Sequence, residues 1–232
     1  MKEEHLHSTE QLVSEQSLIR MARIVSAVFT PVTIPFLAFG ILFLFSYLRL
    51  LPYQYKLIVM GVVFCFTILM PLFTIHTYKR INGLSRDEMA ERKHRYASLI
   101  LTLIGYIFCL IMMHRMNLPY YMNGIIICAL LMILGCTVCN LKWRVSEHMA
   151  GAGAIIGGLV AFSTLLSYNP LWWLTLFILI AGTLGTARII LGHHTLGEVI
   201  GGFVVGLLCS LLVLHPLSNF FLFKFIIHLI AP

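Results

Sequence analysis

The chain has 232 residues, of which 59% are hydrophobic and only 11% are charged, and its formal net charge is +7. Soluble domains carry about 25% charged residues, so this composition excludes a soluble domain and predicts an integral membrane protein. The basic residues are not arranged in an aromatic–basic motif of the kind that binds nucleic acid. Beside a membrane such residues more often meet lipid phosphates, and no nucleic-acid partner is expected.

Three regions are predicted along the chain. Residues 1–22 form an N-terminal tail, either disordered or folded as a short interfacial helix, without the apolar core and small-residue cleavage site of a signal peptide. Residues 23–215 form the transmembrane domain. Residues 216–232 contain Lys224 and His228 within a short apolar stretch, which favours a C-terminal interfacial segment over a further crossing.

Runs of about 20 apolar residues predict helices that cross the membrane. In chain order they lie near residues 24–48, 56–76, 97–113, 120–141, 149–167, 171–190 and 197–214. The first run contains Pro31 and Pro35. The predicted fold class is all-α, a polytopic transmembrane helix bundle with about six to seven spans.

Polar clusters interrupt the apolar chain at residues 86–95, 142–148 and 188–198. A pair of predicted spans separates each cluster from the next. Since an even number of crossings returns the chain to the same face, the clusters are predicted to meet at one side of the bilayer. Charged residues gathered in this way usually mark a functional site in a membrane protein.

The third cluster combines an imidazole, a carboxylate and a guanidinium. His194 and Glu198 are separated by one helical turn, so on a helix they share a face and can hydrogen-bond. A carboxylate bound to one imidazole nitrogen fixes the tautomer and leaves the other nitrogen free as a nucleophile or base. Arg188 precedes them and can hold phosphate oxygens through parallel hydrogen bonds. The spacing predicts an anion-handling active site without distinguishing the nucleophile from the acid.

The other clusters add groups that suit an anion. Ser146 is predicted to be a helix N-cap, where its hydroxyl and the free backbone N–H groups form an anion site. His148 lies in the following turn, placed to give a proton to a leaving oxygen. Arg92 and Arg95 share one helical face in the first cluster. The glycines that follow His148 are expected to permit close helix packing.

These motifs resemble a known family. The spacing Arg188–x5–His194–x3–Glu198 resembles the third signature, SRxxxxxHxxxD, of the type 2 phosphatidic acid phosphatase superfamily, which is related to vanadium haloperoxidases. "VSEH" (145–148) is similar to its PSGH motif, and "ERKHR" (91–95) falls where its KxxxxxxRP motif belongs. The likeness is closer still to a small bacterial branch of the superfamily, and it extends from "FTPVTIP" to "GEVIGG".

The resemblance implies a haloperoxidase-like helical core and a metal-independent phosphatase, without a cofactor, that forms a phosphohistidine intermediate. It implies that His194 attacks phosphorus, that Glu198 orients His194, and that His148 protonates the leaving alcohol and then activates water. The implied ligands of the phosphate oxygens are Arg92, Arg95, Arg188 and Ser146. The implied substrate is a membrane lipid phosphomonoester or an isoprenyl diphosphate, hydrolysed by a multi-pass protein of the bacterial inner (cytoplasmic) membrane.

The chain departs from the family pattern at several positions. Ala187 replaces the serine of the third motif, Glu198 replaces its aspartate, and Val145 and Glu147 replace the proline and glycine beside Ser146. Glu198 is one methylene longer than aspartate and can still accept the imidazole hydrogen bond. The carboxylate of Glu147 is expected to face away from the phosphate or to pair with a cation of residues 142–144.

Alternative functions remain open at this point. A lipid phosphotransferase would pass the phosphoryl group to an acceptor alcohol instead of water. A non-catalytic protein that binds or transports an anionic lipid would use the same arginines, and an inactive relative of the phosphatases would retain binding alone. The sequence leaves the oligomeric state open.

Overall fold

The computed structural model describes residues 16–17, 19–27, 29–30, 32–83 and 92–216, except for the side chains of residues 45, 47 and 92–96. Most of the predicted N-terminal tail and nearly all of the predicted C-terminal segment lie outside this part of the chain. So do residues 84–91, which include the start of the first polar cluster.

The described residues form an all-helical bundle without a strand. Its helices are α1 (Ile34–Phe45), α2 (Tyr53–Ile81), α3 (Arg92–Arg115), α4 (Tyr120–Cys139), α5 (Glu147–Leu166), α6 (Leu171–Ile190) and α7 (Leu196–Leu214). A 3₁₀ turn, Tyr47–Leu50, follows α1, and α2 contains a π-helical turn at Cys65–Leu69. Within the described part of the chain, six helices, α2 to α7, are long and apolar enough to cross a membrane. The predicted polytopic helix bundle is therefore confirmed.

The first predicted span, 24–48, is wrong as a single helix. Residues 19–27 are helical, but a bend at residue 29 and a turn at residues 32–33 lie between them and α1. Pro35 lies in the first turn of α1, a position that suits proline because no helical partner is available there for an N–H group. With 12 residues α1 is about 18 Å long, shorter than the hydrocarbon core of about 30 Å.

The chain nevertheless passes from one end of the bundle to the other between residues 26 and 46. Ser26 accepts a hydrogen bond from Arg188 at the end of α6. Ser46 lines a small cavity together with Tyr168 and Leu214, which follow α5 and end α7. The first passage through the bundle is thus made in two pieces, a helical segment at 19–27 and α1.

Helices α5 and α7 run side by side in the same direction and form the tightest pair of the bundle. A Cβ atom placed on Gly206 would collide with the backbone oxygen of Ala150, and one placed on Gly153 would collide with that of Phe203. Only glycine permits this approach, as expected for small residues at membrane helix interfaces. Because the pair is parallel, the N-termini of both helices lie at the same end of the bundle.

The connection between α6 and α7 is short and sharply bent. Gly192 has a φ of +66°, in the left-handed region that glycine enters without steric cost. Its backbone N–H bonds the carbonyl oxygen of Ile189, and the N–H of His193 bonds that of Arg188. Thr195 is the N-cap of α7. The chain therefore reverses its direction between Arg188 and His194, and this tight turn keeps both residues at one end of the bundle.

Candidate active site

The predicted pair of imidazole and carboxylate is present at the start of α7. Nδ1 of His194 lies 3.0 Å from Oε2 of Glu198. Since a carboxylate only accepts hydrogen bonds, Nδ1 carries the proton and the other ring nitrogen, Nε2, keeps its lone pair. The side chains of His194 and Glu198 are 7% and 17% exposed, so the contact is shielded from water.

Glu198 also caps the N-terminus of α7. Its Oε2 also accepts a hydrogen bond from the backbone N–H of Thr195 at 3.1 Å, and the hydroxyl of Thr195 accepts one from the N–H of Glu198 at 3.4 Å. This reciprocal arrangement is a capping box, which satisfies backbone donors at the helix start. One carboxylate therefore fixes both the ring of His194 and the first turn of the helix that carries it.

Backbone contacts join the second cluster to the third. The backbone N–H of Ser146 donates to the carbonyl oxygen of Glu198 at 3.1 Å. The preceding N–H, of Val145, donates to Oδ1 of Asn140 at 2.8 Å. Ser146 is the N-cap residue of α5, as predicted, but its hydroxyl makes no capping bond. That hydroxyl is fully buried and has no hydrogen-bond partner among the described residues.

Arg188 is bound by a residue of the N-terminal helical segment. Its Nη1 donates to the hydroxyl of Ser26 at 2.9 Å, across 162 positions of the chain. Its Nε is buried and has no hydrogen-bond partner in the described part of the molecule. Glu147 and Arg144 are its electrostatic neighbours. The sequence predicted that Glu147 faces away from the phosphate or pairs with a cation of residues 142–144. In the structure Glu147 also lies near Arg188 and partly offsets its charge.

His148 lies half-buried in the first turn of α5. Its electrostatic neighbours are Arg188, His194 and His193, and its imidazole interacts with the backbone of Ser26. The structure therefore brings the second and third clusters together, as the count of crossings predicted. A buried polar group that lacks a partner carries a desolvation cost. The Nε of Arg188 is such a group, and a guanidinium with a free donor suits an anion.

The two histidines before α7 are shifted toward their neutral forms. Burial lowers the pKa of His194 below its ordinary value, the hydrogen bond to Glu198 opposes this, and the charge of Arg188 reinforces it. Burial also lowers the pKa of His193, with Arg188 acting in the same direction. At neutral pH His194 is therefore unprotonated at Nε2, the state in which an imidazole can act as a nucleophile.

For the first cluster, the structure describes the backbone of residues 92–95. Arg92 begins α3 and Arg95 lies one turn further on, while their side chains lie outside the described residues. Helix α3 starts at the same end as α5 and α7, because one pair of crossings separates each start from the next. A role for Arg92 and Arg95 in holding phosphate stays a prediction.

Several contacts were missed from the sequence. The T-x-x-E pattern of Thr195 and Glu198 is a capping-box signature that was readable. Asn140 lies just before the second cluster, and asparagine is a residue type that often accepts hydrogen bonds from the backbone of a nearby turn. No local signal points to Ser26, because its partner Arg188 is remote in the chain.

Taken together, the described residues define a polytopic helical membrane protein whose bundle brings Arg188, His148 and the pair of His194 and Glu198 together at one end. Residues 135–221 match the family model described as PAP2 superfamily, and this match supports membership in the type 2 phosphatidic acid phosphatase superfamily. The matched segment includes Ser146, His148, Arg188, His194 and Glu198. No curated protein and no solved structure matches the chain.

Proposed function

We propose that the protein is a lipid phosphate phosphatase that works through a phosphohistidine. The observation that carries this proposal is the hydrogen bond from His194 to Glu198 beside Arg188 and His148. It supplies an oriented nucleophile, an anion-binding cation and a second imidazole in one place. The family match supports the phosphatase class. The lipid substrate and the phosphohistidine intermediate are part of the proposal.

In the first half-reaction, Nε2 of His194 attacks the phosphorus atom. The N–P bond forms while the bond from phosphorus to the alcohol oxygen breaks. His148, which becomes protonated when the anionic phosphate binds beside it, gives its proton to that oxygen. His194 becomes cationic when it is phosphorylated, and the carboxylate of Glu198 stabilises this charge through Nδ1–H.

In the second half-reaction, His148 accepts a proton from water as the water oxygen attacks phosphorus. The N–P bond breaks, inorganic phosphate leaves, and both histidines return to their starting states. Throughout, Arg188 and the hydroxyl of Ser146 bind phosphate oxygens, and Arg92 and Arg95 complete the set. Guanidinium groups fit this task because they bind two oxygens at once and stay charged, so the cycle uses no metal ion.

A lipid substrate follows from the position of the site. The catalytic residues lie at the ends of membrane-crossing helices, at the level where a lipid carries its phosphate. A phosphomonoester or isoprenyl diphosphate anchored in the bilayer reaches this level without leaving the membrane.

The test is phosphate release from a panel of lipid phosphates by purified protein with EDTA present. Wild-type protein and His114→Ala, an exposed histidine at the opposite end of the bundle, are expected to release phosphate. His194→Ala and His148→Ala are expected to release none. Activity that survives in His194→Ala would contradict the phosphohistidine, and phosphate passed to an added alcohol without hydrolysis would identify a transferase instead.

A further inference from the structure

A groove opens between α6 and α7 on the membrane-facing side of the bundle, with α5 as its floor. Its volume is about 310 Å³, at the lower end of the range of about 300–1,000 Å³ for small-molecule sites. Ile178, Gly182 and Ile189 line it on α6, Leu196 and Val199 on α7, and Met149 on α5. We call this surface the α6–α7 groove.

The groove begins at the candidate active site. Met149 follows His148, Ile189 follows Arg188, and Val199 follows Glu198 in the chain. Adjacent residues on a helix point about 100° apart. The side chains that handle phosphate and those that line the groove therefore share the same helical turns and face neighbouring directions, so a molecule bound by its phosphate can extend into the groove.

The dimensions of the groove match one half of a bilayer. From Ile189 to Ile178 the wall formed by α6 runs over 11 residues, or about 16 Å. A single leaflet provides about half of the hydrocarbon core of about 30 Å. The hydroxyl of Thr186, the polar side chain of the lining, already donates to the carbonyl oxygen of Gly182. The groove is therefore apolar along its length.

We propose that the α6–α7 groove binds the hydrocarbon chain of the phosphate substrate and measures its length. This inference rests on the proposed function, since it extends the same site. The occupant is the tail of the molecule whose phosphate is held at Arg188, because the groove continues from that site and ends one leaflet deep. A chain that fills the groove fixes the phosphorus relative to His194.

Gly182 allows a direct test. A Cβ atom at Gly182 would meet no other atom within 4 Å, so a large side chain there enters the groove without displacing the protein. Gly61 on α2 is equally open and exposed but lies away from the groove. Gly182→Trp is therefore the blocking variant and Gly61→Trp its matched control. Ile178→Trp obstructs only the deep end.

The experiment uses the full chain in detergent with alkyl phosphates of increasing chain length. For Gly61→Trp we expect the wild-type profile, in which kcat/KM rises with length and levels off once the groove is full. For Gly182→Trp we expect a loss of about 5- to 150-fold on the long members, the range that overpacking produces. The shortest, water-soluble member should be unaffected, and Ile178→Trp should affect only the longest members.

A parallel binding measurement separates this proposal from the proposed function. Alkyl phosphonates of the same lengths are not hydrolysed, and a bound ligand raises the midpoint of thermal unfolding. The shift should grow with chain length in wild type and Gly61→Trp and stay flat in Gly182→Trp. If the alkyl phosphonates bound more tightly with increasing length but no alkyl phosphate was hydrolysed, the proposed phosphatase activity would be overturned and the role of the groove would stand. An unchanged length profile in Gly182→Trp would overturn the groove, leaving bulk lipid or a second copy of the chain as its occupant.

Discussion

Glu198 combines two roles that substitutions can separate. Its Oε2 lies 3.0 Å from Nδ1 of His194 and 3.1 Å from the backbone nitrogen of Thr195. If its main role is to cap α7, its loss should lower stability. If its main role is to orient His194 and stabilise the imidazolium, its loss should lower turnover. Glu198→Gln and Thr195→Ala distinguish these roles.

Glu198→Gln keeps the shape of the side chain and preserves the capping box, which glutamine also forms. It removes the negative charge opposite His194. A hydrogen bond to a charged group is worth about 1.5–3 kcal/mol. Because the cation exists only after His194 has attacked, this energy is lost from the transition state, and kcat should fall by about 10- to 150-fold. The midpoint of thermal unfolding should change little.

Thr195→Ala is the control. It removes the hydroxyl that caps α7 and leaves the bond from His194 to Glu198 in place. Loss of such a cap costs about 0.5–2 kcal/mol of stability, while kcat should stay within a few-fold of wild type. The assays are phosphate release under saturating lipid phosphate and thermal unfolding of the purified protein. If both variants lost stability and activity in parallel, Glu198 would be a cap only, and the proposed role would be refuted.

Three further predictions concern other parts of the site and the bundle. Ser26→Ala removes the hydroxyl that holds Nη1 of Arg188. KM should rise by up to about tenfold, less than the full worth of a hydrogen bond to a charged group, because Arg188 keeps its charge and its own bonds to the substrate. Because the pKa of His194 is lowered, the acid limb of kcat/KM should lie below the ordinary imidazole value of about 6.5. Stability should also fall as the pH drops below about 6.5, since the unfolded chain then binds a proton that folded His194 does not. Gly206→Ala forces a methyl group against the backbone of α5 and should cost about 1–3 kcal/mol, whereas at Gly158 a Cβ makes only an ordinary contact at 3.6 Å.

Each of these has a clear opposing result. An unchanged KM in Ser26→Ala would show that Arg188 needs no support from the N-terminal segment. An acid limb at or above the ordinary imidazole value would show that His194 is not the group that must be neutral. Equal resistance of Gly206→Ala and Gly158→Ala to unfolding in SDS would show that α5 and α7 can separate without cost.

The sequence by itself determined the features that depend on local spacing and on composition. Apolar runs of membrane length predicted α2 to α7, because every backbone polar group inside a bilayer must be satisfied within a helix. The one-turn separation of His194 and Glu198 predicted their contact, since residues on successive turns are neighbours. The even number of crossings between clusters predicted that the second and third would meet, which follows from connectivity alone.

Only the tertiary structure decided the features that depend on distant parts of the chain. Ser26 lies in a helical segment before α1 and accepts a hydrogen bond from Arg188. A hydropathy pattern does not resolve this separate segment. The close approach of α5 and α7 at Gly153 and Gly206 fixes how the starts of these helices face each other. The groove beside them is lined by residues of α5, α6 and α7, and such a gap reflects three-dimensional packing, which no local run of residues encodes.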